Sequence, residues 1–198
     1  MGLKAVFVDK DGTLIENVPF NVDPARIRFA KGAAFCLHLL HDSGYAVVVV
    51  SNQSGVAHGF FPESALQGVR ERLERMCARI GAPLLDVCFC PHHPGGVVPE
   101  YAVSCFCRKP APGLILRAAR AHGIDLRSSW VIGDILNDIA AGRRAGCRTI
   151  LINNGSETEW MLTENRMPDC FVEDLAEAAL VIVARDRDGA GRARRGAA

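Results

Sequence analysis

The chain has 198 residues, 49% of them hydrophobic, and a formal net charge of +1, which suits one domain with a real core. The balanced charge excludes any global electrostatic argument for nucleic acid or an anionic membrane surface, and no run approaches the roughly 20 apolar residues that span a bilayer. The start, Met1-Gly2-Leu3-Lys4, runs into a strand without the apolar segment or cleavage site of a secretory signal, so a cytoplasmic protein is expected, its eight cysteines serving as core residues and metal ligands.

Residues 4–8 read as the first strand, and Ala34 to Ser43 as a helix stopped by Gly44. Tyr45 to Val50 is a continuous apolar run, the mark of a strand buried on both faces. From Pro62 to Ile80 the apolar residues Leu66, Val69, Leu73, Met76 and Ile80 follow helical spacing. Asp86 to Phe89 is the third strand, and Leu114 to His122 the third helix, with Pro112 in its first turn. Trp130 to Gly133 and Thr149 to Ile152 are strands flanking a helix from about Asp138 to Ala145. A short strand near Phe171 and Val172 leads to a last helix from Leu175 to Val183. This alternation predicts an α/β fold, a doubly wound, mainly parallel sheet with helices on both faces, in one domain over residues 1–184. The remainder, 185–198, mixes arginines with Asp186, Asp188, Gly and Ala and reads as a disordered tail.

Ligands in such folds sit at the carboxyl ends of the strands, and polar clusters stand at four of them. Asp9 and Asp11 follow the first strand; residues i and i+2 point the same way, so both carboxylates converge and call for a hard cation such as Mg²⁺. Gly12 permits a turn with unusual dihedrals, and Thr13 offers a hydroxyl and an amide to an oxyanion. Ser51-Asn52-Gln53-Ser54-Gly55 follows the second strand, Arg108-Lys109 comes after the third, and Gly133-Asp134 closes the fourth.

A second constellation is Cys90-Pro91-His92-His93-Pro94 with Cys105-Phe106-Cys107. Cys90, His92, Cys105 and Cys107 supply the Cys₃His set of a closed, structural Zn²⁺ site that clips a Gly- and Pro-rich loop unable to build a core, giving a zinc loop over residues 90–107. Cys36, Cys77, Cys88, Cys147 and Cys170 lie in apolar settings and are expected in the core.

The order Asp-x-Asp-Gly-Thr, Ser-Asn-Gln, Lys-Pro and Gly-Asp, with a further Asp four residues on, resembles the haloacid dehalogenase-like hydrolases over residues 4–152. The resemblance implies a Rossmann-like fold without a large cap domain, and phosphoryl transfer through an aspartyl-phosphate. It makes Asp9 the nucleophile and Asp11 the general acid and later base. Ser51 then holds the transferring phosphoryl group, Lys109 balances its charge, and Mg²⁺ is bound by Asp9, Asp134 and the main-chain carbonyl of Asp11. Asp138 steadies the loop or the metal's waters.

The zinc loop makes the chain similar to the D-glycero-D-manno-heptose 1,7-bisphosphate phosphatases and the related histidinol-phosphate phosphatases. That similarity matches His92 to the zinc ligand and leaves His93 to substrate or solvent. It places Asn17, Val18, Pro19 and Phe20, then Ser51, Asn52, Gln53 and Ser54, around the substrate with Arg108 and Lys109, and a guanidinium at Arg108 suits bidentate grip of a second phosphate. Two positions depart from the pattern: Ile135 and His58 stand where basic residues are usual. The implied activity is removal of the 7-phosphate of the heptose bisphosphate by a monomer acting on a small phosphorylated sugar. The alternatives are a histidinol-phosphate or other small phosphomonoesterase, and a non-catalytic, zinc-organised binding protein.

Overall fold

The computed structural model describes residues 2–195, with side chains described through Arg187. Its six parallel strands are β1 (Ala5–Val8), β2 (Ala46–Asn52), β3 (Asp86–Cys90), β4 (Trp130–Gly133), β5 (Arg148–Ile152) and β6 (Cys170–Val172), in the order β3-β2-β1-β4-β5-β6. The helices are α1 (Ala33–Asp42), α2 (Ala65–Arg79), α3 (Gly113–His122), α4 (Leu136–Ala145) and α5 (Leu175–Arg195).

Two-residue periodicity divides the core. Val6, Val8, Val47 and Val49 face the layer of α1, α2 and α5, where Leu37, Leu40, Leu73 and Ala179 meet them. Phe7, Val48, Val50 and Val131 face the opposite layer, with Leu114, Ile115 and Ala118 of α3 and Ala141 of α4. Strands buried on both faces need the unbroken apolar runs that the sequence carries. Strand order reverses at β1, which pairs with β2 on one side and β4 on the other, in register Val8↔Val49 and Val8↔Ile132. The turns leaving β1 and β4 therefore open side by side at the carboxyl edge.

Three expectations change. Ser51 and Asn52 belong to β2 rather than to the loop after it, because their main chain continues the ladder with Phe89 and Cys90 of β3. The expected irregular tail from Arg185 is helical to Arg195: once α5 is nucleated, its extension needs no new nucleus, and the good helix formers Ala and Arg work against the breaking tendency of Gly189 and Gly191. Residues 196–198 of that tail lie outside the described residues. Cys36, Cys77, Cys88 and Cys147 are buried as expected, but Cys170 is only half-buried, with its Sγ 2.8 Å from the Arg185 guanidinium. Among the described residues no helix is long and apolar enough to cross a membrane.

Candidate active site

The turn after β1 is tied to itself before it is tied to anything else. Leu14 N donates to the Asp9 carbonyl at 3.2 Å and Ile15 N to the Lys10 carbonyl at 2.9 Å. Gly12 has φ +81°, and a Cβ built there would lie 2.1 Å from Asp134 Oδ2, so only glycine lets the two turns pass. Thr13 donates its hydroxyl to Asp134 Oδ1 at 3.0 Å, which ties the turn after β1 to the one after β4.

Asp9, Asp134 and Asp138 are buried and offer carboxylate oxygens within 4.8 Å of one another. Lys109 is the cation among them. Only 3% exposed, its ammonium donates to Asp9 and, at 2.9 Å, to the Val50 carbonyl. It also stands 2.6 Å from Asp138 Oδ1, in a close ion contact without hydrogen-bond geometry. Burial opposes the lysine's charge, yet Asp138 and Asp9 outweigh it and hold its pKa above the ordinary value. Burial likewise pushes Asp138 up, to about 7, against the pull of Lys109. Asp134 is raised by burial and by Asp9. Three carboxylates facing one ammonium leave the cluster short of positive charge, and an all-oxygen donor set suits a hard divalent ion such as Mg²⁺. The Asp11 side chain lies outside this trio, and Asp138 joins it through its own carboxylate, besides accepting from Ile135 N at 3.3 Å.

Asp11 is held at the rim. Lys10 Nζ is 3.0 Å from Oδ1, and Gln53 Nε2 donates to Oδ2 at 2.9 Å and to Ser51 Oγ at 2.9 Å. Burial raises the Asp11 pKa and Lys10 opposes it. Asn52 reaches sideways instead: its amide donates to the Lys109 carbonyl and accepts from Lys109 N, both at 3.0 Å. That pair of bonds anchors the turn that delivers Lys109.

Asp9, Asp11, Asn17, Ser51, Lys109 and Asp134 line a cavity of about 240 Å³. A neighbouring cavity of about 300 Å³ shares Asp11, Asn17 and Asn52 and is walled by Val18, Pro19, Phe20, Gln53 and Ser54. Phe20 has φ +53° and stacks edge-on with Phe60 at 4.7 Å between ring centroids. Arg108 is not brought into either cavity. It lines a further cavity with His93, Ser104 and Arg144 that adjoins the first through Lys109, its guanidinium donating to the His92 carbonyl at 3.2 Å. Of the two departing positions, Ile135 lies in the wall of the reaction cavity, and the His58 ring packs on Phe60 and, at 4.8 Å, on His93.

Sequence reasoning missed the loop after β5. Asn154 donates to the Gly12 carbonyl at 2.7 Å, Ser156 lines the reaction cavity, and Glu157 accepts from Leu136 N at the start of α4 at 2.6 Å. The signal was available, since Asn153-Asn154-Gly155-Ser156 is a polar cluster after a strand like the other four. Lys10 was missed because a lysine between two aspartates reads as solvated; it is 1% exposed.

The sulfur cluster forms as its spacing predicts. Cys107 Sγ lies 3.2 Å from both Cys90 and Cys105 Sγ, Cys90 and Cys105 are 3.6 Å apart, and His92 Nδ1 is 3.3 Å from Cys107 and 3.7 Å from Cys90. Zn–S bonds of about 2.3 Å in a tetrahedron place ligands about 3.7 Å apart, so the set can close on Zn²⁺ with small outward movements. His92 faces the cluster through Nδ1; His93 instead accepts from Gly95 N at 3.0 Å.

A family model described as HAD-hydrolase-like matches residues 106–178. The chain is similar to the D-glycero-alpha-D-manno-heptose-1,7-bisphosphate 7-phosphatase of Photorhabdus laumondii, with 34% identity over 157 residues, 79% of this chain and 86% of the relative. It is also similar to the D-glycero-beta-D-manno-heptose-1,7-bisphosphate 7-phosphatase of Rhodopseudomonas palustris, with 38% identity over 72% of this chain and 79% of the relative. Among solved structures, the D,D-heptose 1,7-bisphosphate phosphatase of B. bronchiseptica complexed with magnesium and phosphate superposes with a TM-score of 0.76 at 27% identity, over 92% of this chain and 99% of that one. Relatives matched along most of their length, together with motif residues gathered at one sheet edge, show that the chain belongs to the haloacid dehalogenase-like hydrolases, in the family of the heptose-1,7-bisphosphate 7-phosphatases.

Proposed function

We propose that the protein is a Mg²⁺-dependent phosphatase of a small phosphorylated sugar, acting through a phosphoaspartate on Asp9, with the 7-phosphate of D-glycero-D-manno-heptose 1,7-bisphosphate as substrate. The observation that carries this reading is the convergence of Asp9, Asp134, Lys109, Ser51 and Asp11 on one cavity whose carboxylates outnumber its cations. The relatives' names supply the sugar.

In the first step an Asp9 carboxylate oxygen attacks phosphorus and the bond to the sugar oxygen breaks. Asp11 passes its proton to that leaving oxygen. Water then attacks the same phosphorus, Asp11 takes the proton, the bond to Asp9 breaks and orthophosphate leaves. Ser51 and Lys109 hold and neutralise the transferring oxygens, while Asn52 keeps Lys109 in place through its main chain. Bound Mg²⁺, held by Asp9, Asp134 and the Asp11 carbonyl, would screen the repulsion between nucleophile and phosphate. The cavity of Asn17–Phe20 and Gln53–Ser54 adjoins Asp11 and is the place for the leaving sugar. Zn²⁺ in the Cys₃His set is structural, since all four positions are protein ligands.

The test is Mg²⁺-dependent phosphate release from both anomers of the heptose bisphosphate and from histidinol phosphate, compared by kcat/KM. The heptose bisphosphate is expected to lead. A lead for histidinol phosphate moves the protein to the related phosphatases, and no release from any of these substrates returns it to a binding role.

A further inference from the structure

We propose that Lys10 is a positioning residue for the proton-transfer carboxylate, holding Asp11 so that it can serve the leaving group in one step and water in the next. The inference rests on the phosphatase reading above and assigns a role to a residue that reading leaves idle.

Burying an ammonium is costly unless a charge repays it. Lys10 is 1% exposed, and the one carboxylate within ion-pair distance among the described residues is Asp11, with Oδ1 at 3.0 Å. The opposite oxygen, Oδ2, takes the 2.9 Å bond from Gln53, whose amide is fixed in turn by Ser51 Oγ. The carboxylate is therefore held at both oxygens, by an ion contact at Oδ1 and a hydrogen bond at Oδ2. It stands where the reaction cavity and the adjoining cavity meet, since Asp11 lines both. A side chain there must face the ester oxygen and later a water, and free rotation about its χ angles would spoil both alignments. The main chain of the turn does not need the Lys10 charge, because its own bonds from Leu14 N and Ile15 N close it. The charge acts on Asp11.

Lys10→Met keeps the length and apolar stem and removes the charge. It is compared with wild type, loaded with Mg²⁺, on an alkyl phosphate substrate and on 4-nitrophenyl phosphate, whose phenolate departs without a proton. We expect kcat on the alkyl ester to fall roughly tenfold to hundredfold with KM little changed. On the aryl ester a burst of 4-nitrophenolate stoichiometric with enzyme should precede a slowed steady state, because transfer to Asp9 is spared and attack by water is not. Lys10→Arg should recover most of the loss. A kcat on the alkyl ester within twofold of wild type overturns the inference, and so does an equal fall in burst rate and steady state, which marks a merely structural lysine. Should Lys10→Met fail a thermal-melt check of folding, Lys10→Gln is read for the same split. Failure of wild type itself to release phosphate overturns the phosphatase reading instead.

Discussion

Gly12→Ala offers a test in which strain and chemistry separate. Alanine at φ +81° must adopt a left-handed conformation, which costs about 1–2 kcal/mol. In a chain of this size that lowers Tm by roughly 2–8 °C. The new Cβ would also stand 2.1 Å from Asp134 Oδ2 where contacts under 3.0 Å essentially never occur. The carboxylate must withdraw by about 1 Å, and a shift of that size at a reacting centre costs on the order of 10²-fold in rate. Asp134 is the proposed Mg²⁺ ligand, so half-saturation by Mg²⁺ should rise roughly tenfold or more as well. Gly123→Ala is the control: Gly123 has φ +65° and nothing within 4 Å of an added Cβ. It should lose comparable stability while keeping kcat/KM and Mg²⁺ dependence. The assay is phosphate release across a Mg²⁺ titration, with thermal melts of both variants. Wild-type kcat/KM and Mg²⁺ dependence in a folded Gly12→Ala protein would refute the packing argument, and equal activity losses in both variants would refute its link to Asp134.

Asp9→Asn should abolish turnover, with steady-state phosphate release falling at least 10³-fold if covalent transfer is the route; near-normal activity would sink that mechanism. Cys105→Ser breaks the sulfur cluster, and zinc content by elemental analysis and Tm should fall together; a wild type free of zinc ends the structural-zinc reading. Far from the site, burial works to raise the pKa of Asp86, but bonds from His122, Arg70 and Val87 N outweigh it and hold the carboxyl below its ordinary value. A depressed native pKa contributes stability above the unfolded value of about 3.9 that is lost as pH falls through the native one. Urea denaturation should therefore show Asp86→Asn less stable by about 1 kcal/mol near neutrality and equal to wild type in strong acid; a gap that persists in acid contradicts the assignment.

Much of the site was legible in the sequence because most of its parts lie at strand ends, which a parallel sheet gathers at one edge whatever the strand order. Asp9, Ser51 and Asp134 stand where the apolar runs stop, and parallel strands bring those stops to one edge, where Lys109 joins them from the segment before α3. Cys90, His92, Cys105 and Cys107 were legible for another reason: thiolate and imidazole at short spacing have few uses besides metal. Roles that depend on a partner distant in sequence were not legible. Arg108 adjoins Lys109 in the chain, yet its guanidinium turns to the His92 carbonyl and a further cavity that Lys109 also lines. Gln53, expected beside the substrate, lines the cavity next to Asp11, and its amide also bridges Asp11 and Ser51.

By itself, then, the sequence determined the alternation of strands and helices, the two-sided burial of the sheet and the chemistry at its carboxyl edge, because periodicity and residue type are local properties. Only the tertiary structure decided which polar atoms meet. It chose His92 over His93 at the sulfur cluster, drew Asp138 into the acidic trio, brought Asn154 and Ser156 to the turn after β1, and buried Lys10 against Asp11. Those pairings turn on ångström-scale approach between segments far apart in the chain, and no local pattern encodes them.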